Sequence, residues 1–508
     1  MSRLRPSCRL SRHVTGFCLA PLGLIALLGG CGAIPTALTD KIPNIPGVAA
    51  KQDKTVVDRM RAEDLAEKAK PVATPAPAAA PPDPAADLDN RRIYSYIVPS
   101  PPLSAYLNRL LTQVKQASPR PDLPARVVPI YDHSLVADTT PAGNIFISLG
   151  WIKNVESEDE LIALIAHEYG HLALHHYNFD EIANNQKRLK LLSTGFFVLR
   201  ERFSTGNANA TLSAGDSARL KTQENLIQLM DAVIHPGWKR AQELDADKYA
   251  FDTLAQLKRA PKGLTDLFER IDAQDVTMKK QAELDAKDKL KVPAPIDANF
   301  RWTDLIDPLL LQLKSDTHPS VEDRTLSIDT YRDLFYPNNG QAARTRIDKG
   351  GLTKVRTDNS QLFANYEKAR EAAIKLNNND PKGALILARQ AASGPTARHA
   401  YPLAQQFQAQ WALGQTKEAD GTFNLITRAE DPTWKEYAFF LEHSSASQKA
   451  KDAMMEAGFQ KFHEAPLLQA ARIAYYKKNG NLTMANQLVV TCTARTPDYR
   501  DGCEKSLK

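Results

Sequence analysis

The stretch ALIAHEYGHLALHH, residues 163–176, puts four of the chain's eleven histidines within ten positions, behind an apolar run. Preceded by SEDELI, it predicts a helix opened by Ser157, with Glu158, Asp159 and Glu160 in the first turn. Acids there suit the positive end of the helix dipole. On a helix, residues four apart lie one above the other on one face. His167 and His171 can therefore both turn an imidazole nitrogen to a single zinc ion. Glu168 stands one step round that face, out of ligand position but within reach of a water, as a general base requires.

A catalytic zinc site needs a third protein ligand and one open position. The long pattern HExxHxxGxxH would require glycine at 174 and histidine at 177, whereas the chain has Leu174 and Tyr177. His175 and His176 lie too close to the pair to bring a ligand from a second element. They read as surface residues or as supports behind the ligands, His176 the more buried. The better candidate is Glu243 in QELDADKYA, with Asp247 one helical turn later to hydrogen-bond a ligand imidazole and fix its tautomer. ELDAD alone reads as a solvated acidic helix start; HExxH upstream decides for the ligand. A His/His/Glu set favours zinc, one ion per chain.

Outward from this helix, PPLSAYLNRLLTQVKQA predicts an amphipathic helix with Leu103, Tyr106, Leu107, Leu110, Leu111 and Val114 on one face. ARVVPIYD and AGNIFISLG predict strands bounded by turn residues. A polar stretch at 203–217 reads as a mobile loop, helical sequence resumes near Arg219, and THPSVEDR closes the region. From about residue 360 helices carry alanines at packing positions. QWALGQTKEADGTFNLI and AYYKKNGNLTMANQLVV share an aromatic, a turn glycine (Gly414, Gly480) and an alanine five residues later. The glycines stand 66 apart, close to two periods of a helix–turn–helix repeat of about 34 residues. Degenerate TPR-like repeats and an irregular helical domain both fit this pattern.

The N-terminus has its own logic. MSRLRPSCRLSRH is basic, and the apolar run after it, 15 residues, is short for a membrane helix. It ends in LGGC, so residues 1–30 resemble a bacterial lipoprotein signal, with Cys31 acylated. An uncleaved membrane anchor is the alternative, and either places the body outside the cytoplasm. Gly32, in place of aspartate, implies the outer membrane of a Gram-negative cell. Four of the six net positive charges lie in residues 1–30, which carry no acid; the remaining +2 gives no support for nucleic-acid binding. Residues 31–88 read as a tether, with a short charged helix at 51–70 and a semi-rigid Pro/Ala linker, KPVATPAPAAAPPDPAAD. Of five cysteines, Cys492 and Cys503 remain in the body, and in an oxidising compartment the pair reads as a disulfide rather than a metal site.

HExxH followed after a helical insertion by ExxAD resembles the HtpX-like and CAAX-prenyl-endopeptidase-like zinc metallopeptidases. The likeness extends over AGNIFISLGWIKNVESEDELIALIAHEYGHLALHH, Arg240 ahead of Glu243, and THPSVEDR, about residues 90–335 in all. It implies a gluzincin-type zinc metalloendopeptidase: His167, His171 and Glu243 as ligands, Glu168 as base and Asp247 as orienter. His318 would approach the metal, either stabilising the oxyanion or capping the open position. Ile145, Phe146, Ile147 and Ser148 would form the strand that pairs with an extended peptide. Arg324 would be an ion-pair partner.

The expected fold is mainly α with a small sheet, an α+β zincin domain (89–340) followed by an α-helical TPR-like domain (360–508). The expected partners are periplasmic protein substrates, outer-membrane assembly machinery reached through the repeats, and a membrane held by the lipid; nucleic acid is not expected. The competing reading is a periplasmic helical-repeat scaffold or chaperone-like factor with a dormant metal site.

Overall fold

Ser100 caps α3 (Pro101–Ala117) by accepting from the Leu103 amide, and prolines fill its first turn, where no amide partner is needed. Its apolar face is buried from Leu103 to Val114. The computed structural model describes residues 54–68, 83–177, 240–290, 319–337, 349–495 and 500–507. Residues 1–30, Cys31, the linker residues 69–82, the 203–217 stretch and His318 lie outside the described residues. The described part falls within a single unit, Ala49–Lys508.

A small sheet joins β1 (Arg126–Ile130), β2 (Ala137–Thr139) and β3 (Asn144–Ser148) in the order β1-β3-β2. β3 runs parallel to β1 and antiparallel to β2. Gly143 closes the β2–β3 turn with φ 86°, and a Cβ there would stand 2.0 Å from the Pro124 carbonyl oxygen. This corrects the expectation for Ile145, Phe146, Ile147 and Ser148. The strand that holds them is the middle one, with both edges paired and all four residues buried. The Ser148 hydroxyl is also spoken for, since it accepts from the Trp151 amide at the head of α4 (Leu149–Asn154) and donates to the Ser134 carbonyl. Among the described residues the sheet ends instead at β2, three residues too short to show any alternation in sequence.

α5 (Glu158–Ala173) is capped by Ser157, which accepts from the Glu160 amide. It packs on α3, on α6 (Arg240–Gln256) and on α7 (Lys262–Leu290), and α8 (Val321–Phe335) lies against α6 and α7. Close approach of α5 to α6 needs Gly170, because a Cβ there would meet the buried Tyr249 ring at 3.0 Å. Ahead of the sheet, α1 (Val56–Lys68) docks on α6 with Val56, Val57 and Met60 buried, so this part of the expected tether belongs to the folded body. α2 (Pro84–Arg92) reaches β2 through a buried Arg91–Asp138 ion pair.

After α9 (Gly350–Asp358) the chain runs in helical hairpins: α10 (Ser360–Asn377) with α11 (Pro381–Ala391), and α12 (Ala400–Ala412) with α13 (Thr416–Ile426). α14 (Trp434–His443) pairs with α15 (Gln448–Lys461), and α16 (Pro466–Lys478) with α17 (Leu482–Arg495). Asn379, Gly414 and Gly480 turn three of these hairpins with φ of 60°, 72° and 78°. The alanines five residues past the two glycines, Ala419 and Ala485, are buried against the preceding helix layer. Cys492 and Cys503 are bridged, Cα–Cα 6.1 Å, tying α17 to α18 (Arg500–Lys505). The described residues are mainly helical with one small sheet, as the sequence predicts.

Candidate metal centre

α5 and α6 bring three side chains together. His167 Nε2 and His171 Nε2 lie 3.2 Å apart, and the Glu243 carboxylate stands 3.6 Å from the first and 3.4 Å from the second. All three residues are buried. Two donors bound tetrahedrally to one zinc ion at ~2.0–2.1 Å must themselves stand about 3.3 Å apart, so the triangle has the size such an ion requires.

The proton inventory tests the fit independently. His167 Nδ1 lies 2.9 Å from Asp247 Oδ1. A carboxylate accepts there, so Nδ1 holds the proton and Nε2 is bare. A bare nitrogen facing a second nitrogen and a carboxylate calls for a cation between them. A proton can also take that place. Burial by itself would lower the His167 pKa, but the Asp247 hydrogen bond and the charges of Asp247 and Glu243 outweigh it and raise it. Donor types, distances and tautomer all suit zinc.

Behind the triangle, Asp247 is fully buried and held by Arg324, whose Nε donates to Oδ2 at 2.8 Å and Nη2 to Oδ1 at 2.6 Å. Burial would raise the Asp247 pKa, but the Arg324 charge and the hydrogen bonds from His167 and Arg324 overcome it, so the carboxylate stays ionised. Arg324 also lies over the Phe268 ring, 4.5 Å from its centroid. On the other ligand, His171 Nδ1 meets His176 Nδ1 at 3.0 Å. Burial pushes the His176 pKa down to about 4, so its ring is neutral at ordinary pH.

Glu168 is buried next to His167, near enough to Arg324 and Tyr177 for its charge to act on both. Burial raises the pKa of the Tyr177 hydroxyl well above its ordinary value, and the charges of Glu168 and Asp138 push it the same way. Sequence reading used Tyr177 only to exclude a longer motif, and its place beside the site had no signal in spacing. Arg240 opens α6 and pairs with Asp323 at 3.8 Å, on the surface.

The structure thus brings together His167, Glu168, His171, Glu243 and Asp247, and it adds Arg324 and His176 behind them. Ile145, Phe146, Ile147 and Ser148 stay within the sheet, and Cys492 and Cys503 belong to the C-terminal helices.

Comparison with known proteins agrees. Residues 101–332 match the model of Peptidase family M48. Metalloprotease LoiP of Escherichia coli (strain K12) is 28% identical over 120 residues, which are 24% of this chain. The match spans about two fifths (41%) of that relative's length. The matched segment 101–332, which holds the two histidines, the glutamate and the supporting aspartate of the site, is thus similar to Peptidase family M48.

Proposed function

We propose that the chain is a zinc-dependent endopeptidase of gluzincin type, acting on misfolded or outer-membrane proteins in the periplasm. The observation that carries this reading is the buried triangle of His167, His171 and Glu243 with Glu168 beside it. A structural zinc site is closed by four protein ligands, whereas three plus an adjacent carboxylate is the arrangement that catalysis uses.

His167, His171 and Glu243 hold the metal. When bound, zinc supplies Lewis acidity to a water and to the scissile carbonyl. Glu168 takes a proton from the attacking water at a carboxylate oxygen and delivers it to the leaving amine nitrogen, so the peptide bond is replaced by an acid and an amine. Asp247 keeps the His167 proton on Nδ1, and Arg324 keeps Asp247 ionised. With β3 enclosed and the outer edge of β1 bonded to residues 96–98, the edge left for an extended substrate among the described residues is that of β2, next to α5.

In this reading Cys31 carries lipid in the outer membrane, the Pro/Ala linker spaces the body from it, and the C-terminal hairpins, as TPR-like repeats, dock outer-membrane assembly machinery. The basic and apolar leader ending in LGGC supports the first of these.

The test is zinc content and casein cleavage for the chain without its first 31 residues, beside Glu168→Gln and Glu243→Ala. The expected wild type holds about one zinc and cuts; Glu168→Gln keeps the metal and loses cleavage; Glu243→Ala loses both. A wild type without zinc removes the peptidase reading and favours the helical scaffold.

A further inference from the structure

We infer that His176 is the positioning residue for the second metal ligand, holding the His171 ring so that its Nε2 faces the metal position. The inference rests on the reading that His171 is a ligand, and it begins with how α5 ends. His175 takes the left-handed conformation, φ 53°, and the chain folds back on the last turn. The His175 amide then donates to the Leu172 carbonyl at 3.2 Å and the His176 amide to the His171 carbonyl at 3.0 Å. These are the two bonds of a Schellman helix end. Glycine is the usual residue at its left-handed position; here a histidine occupies it, with its Nε2 3.0 Å from Arg120 Nη1.

The motif does more than close the helix. It returns residue 176 to the residue that carries the ligand, so His176 touches His171 twice, at the backbone and at the ring. The two Nδ1 atoms, 3.0 Å apart, need one proton between them. His171 Nε2 faces His167 and Glu243. As a ligand that nitrogen must be bare, which puts the His171 proton on Nδ1. His171 is then the donor and His176 Nδ1 the acceptor, with the His176 proton on its own Nε2. The His176 carbonyl in turn accepts from Gln242 Nε2 at 3.1 Å, and Gln242 is the neighbour of Glu243 on α6. One residue thereby ties the ring of the second ligand to the helix that presents the third. The two histidine ligands are supported differently, His167 by a carboxylate and His171 by a second imidazole.

The experiment compares wild type, His176→Asn and His176→Leu in the same chain, by zinc competition against a chromophoric chelator and by the visible spectrum of the cobalt-substituted protein. Asparagine sets Oδ1 where Nδ1 stood and accepts the same hydrogen bond; leucine fills the space without an acceptor. Leucine should weaken zinc binding about 10–100-fold and alter the cobalt spectrum. Asparagine should bind within a few-fold of wild type with a near-native spectrum, a rescue that loss of packing alone would not give. Leucine binding zinc as tightly as wild type overturns the inference, and so does asparagine binding no better than leucine. A wild type that takes no zinc fails at an earlier step and overturns the metal reading as well.

Discussion

Asp247 divides its oxygens between two partners: Oδ1 meets both His167 Nδ1 and Arg324 Nη2, and Oδ2 takes Arg324 Nε. The carboxylate is buried, so it stays charged only with the guanidinium present. Arg324→Ala should therefore destabilise the fold by about 3–5 kcal/mol and weaken zinc binding about 10–100-fold. Arg324→Lys should fall between, since an ammonium cannot make the forked contact. Denaturant titration and chelator competition on the three proteins check this, and an unchanged metal affinity in the alanine variant would sink it. Gly170 makes a second prediction at this scale. A Cβ there would meet Tyr249 Cδ1 at 3.0 Å, against a ring with no room to retreat. Gly170→Ala should cost about 1–3 kcal/mol, and Tyr249→Leu should relieve most of it in the double variant. A double-mutant cycle that shows no coupling would mean that α5 and α6 can part without penalty.

At the scale of elements, α1 shows what a short charged helix is for. Its first amides are served from the body: the Val56 N–H donates to Tyr331 Oη, and the Val57 N–H to Asp252 Oδ2. Tyr331 and Tyr336 donate to the same carboxylate. Burial pushes the Asp252 pKa up to about 6 against these hydrogen bonds, which lower it. The unfolded group titrates near 3.9. Below about pH 4 both states are protonated and the native state carries no penalty. Between pH 4 and 6 the unfolded chain ionises first, so stability falls as pH rises, by about 2–3 kcal/mol in all, and is flat above. Asp252→Asn should remove that fall, read as thermal midpoints from pH 4 to 8; an unchanged slope would place the titration elsewhere. A chain begun at residue 89 would lack α1 and, with it, the Val57 amide that donates to this carboxylate.

The same contrast between local and distant contacts marks what the sequence could show. Spacing on single helices exposed His167, His171, Glu243 and Asp247, because ligand geometry there is a matter of turns. The amphipathic helix at 101–117, the Ser157 cap of α5 and two strands were legible for the same reason. His176 read as a support and Arg324 as an ion-pair partner, but that they serve His171 and Asp247, and that Asp252 lies beneath α1, depends on a helix end or on residues far apart in the chain. The order of the sheet is not written in any one strand, so β3 read as an edge.

Across the whole molecule, the sheet region and the C-terminal hairpins share one interior. Tyr131, just past β1, stacks on Tyr401 of α12 with centroids 3.8 Å apart, and Tyr366 of α10 flanks both. Tyr96 adds an edge contact to Tyr401 and a hydrogen bond to buried Glu436. The Trp434 amide donates to the Ile93 carbonyl, and Arg356 of α9 donates to the Ile152 carbonyl at the end of α4. An interface made of buried rings and satisfied polar groups should unfold together with the parts it joins. Zinc release and far-ultraviolet circular dichroism, one reporting the metal centre and the other mostly the hairpins, should therefore give coincident denaturant transitions. Tyr401→Ala opens a cavity among three tyrosines and should shift both midpoints, by about 3–5 kcal/mol. If the variant instead loses helical signal while zinc stays bound, the hairpins fold apart from the metal centre. The tyrosine stack would then be a contact without coupling.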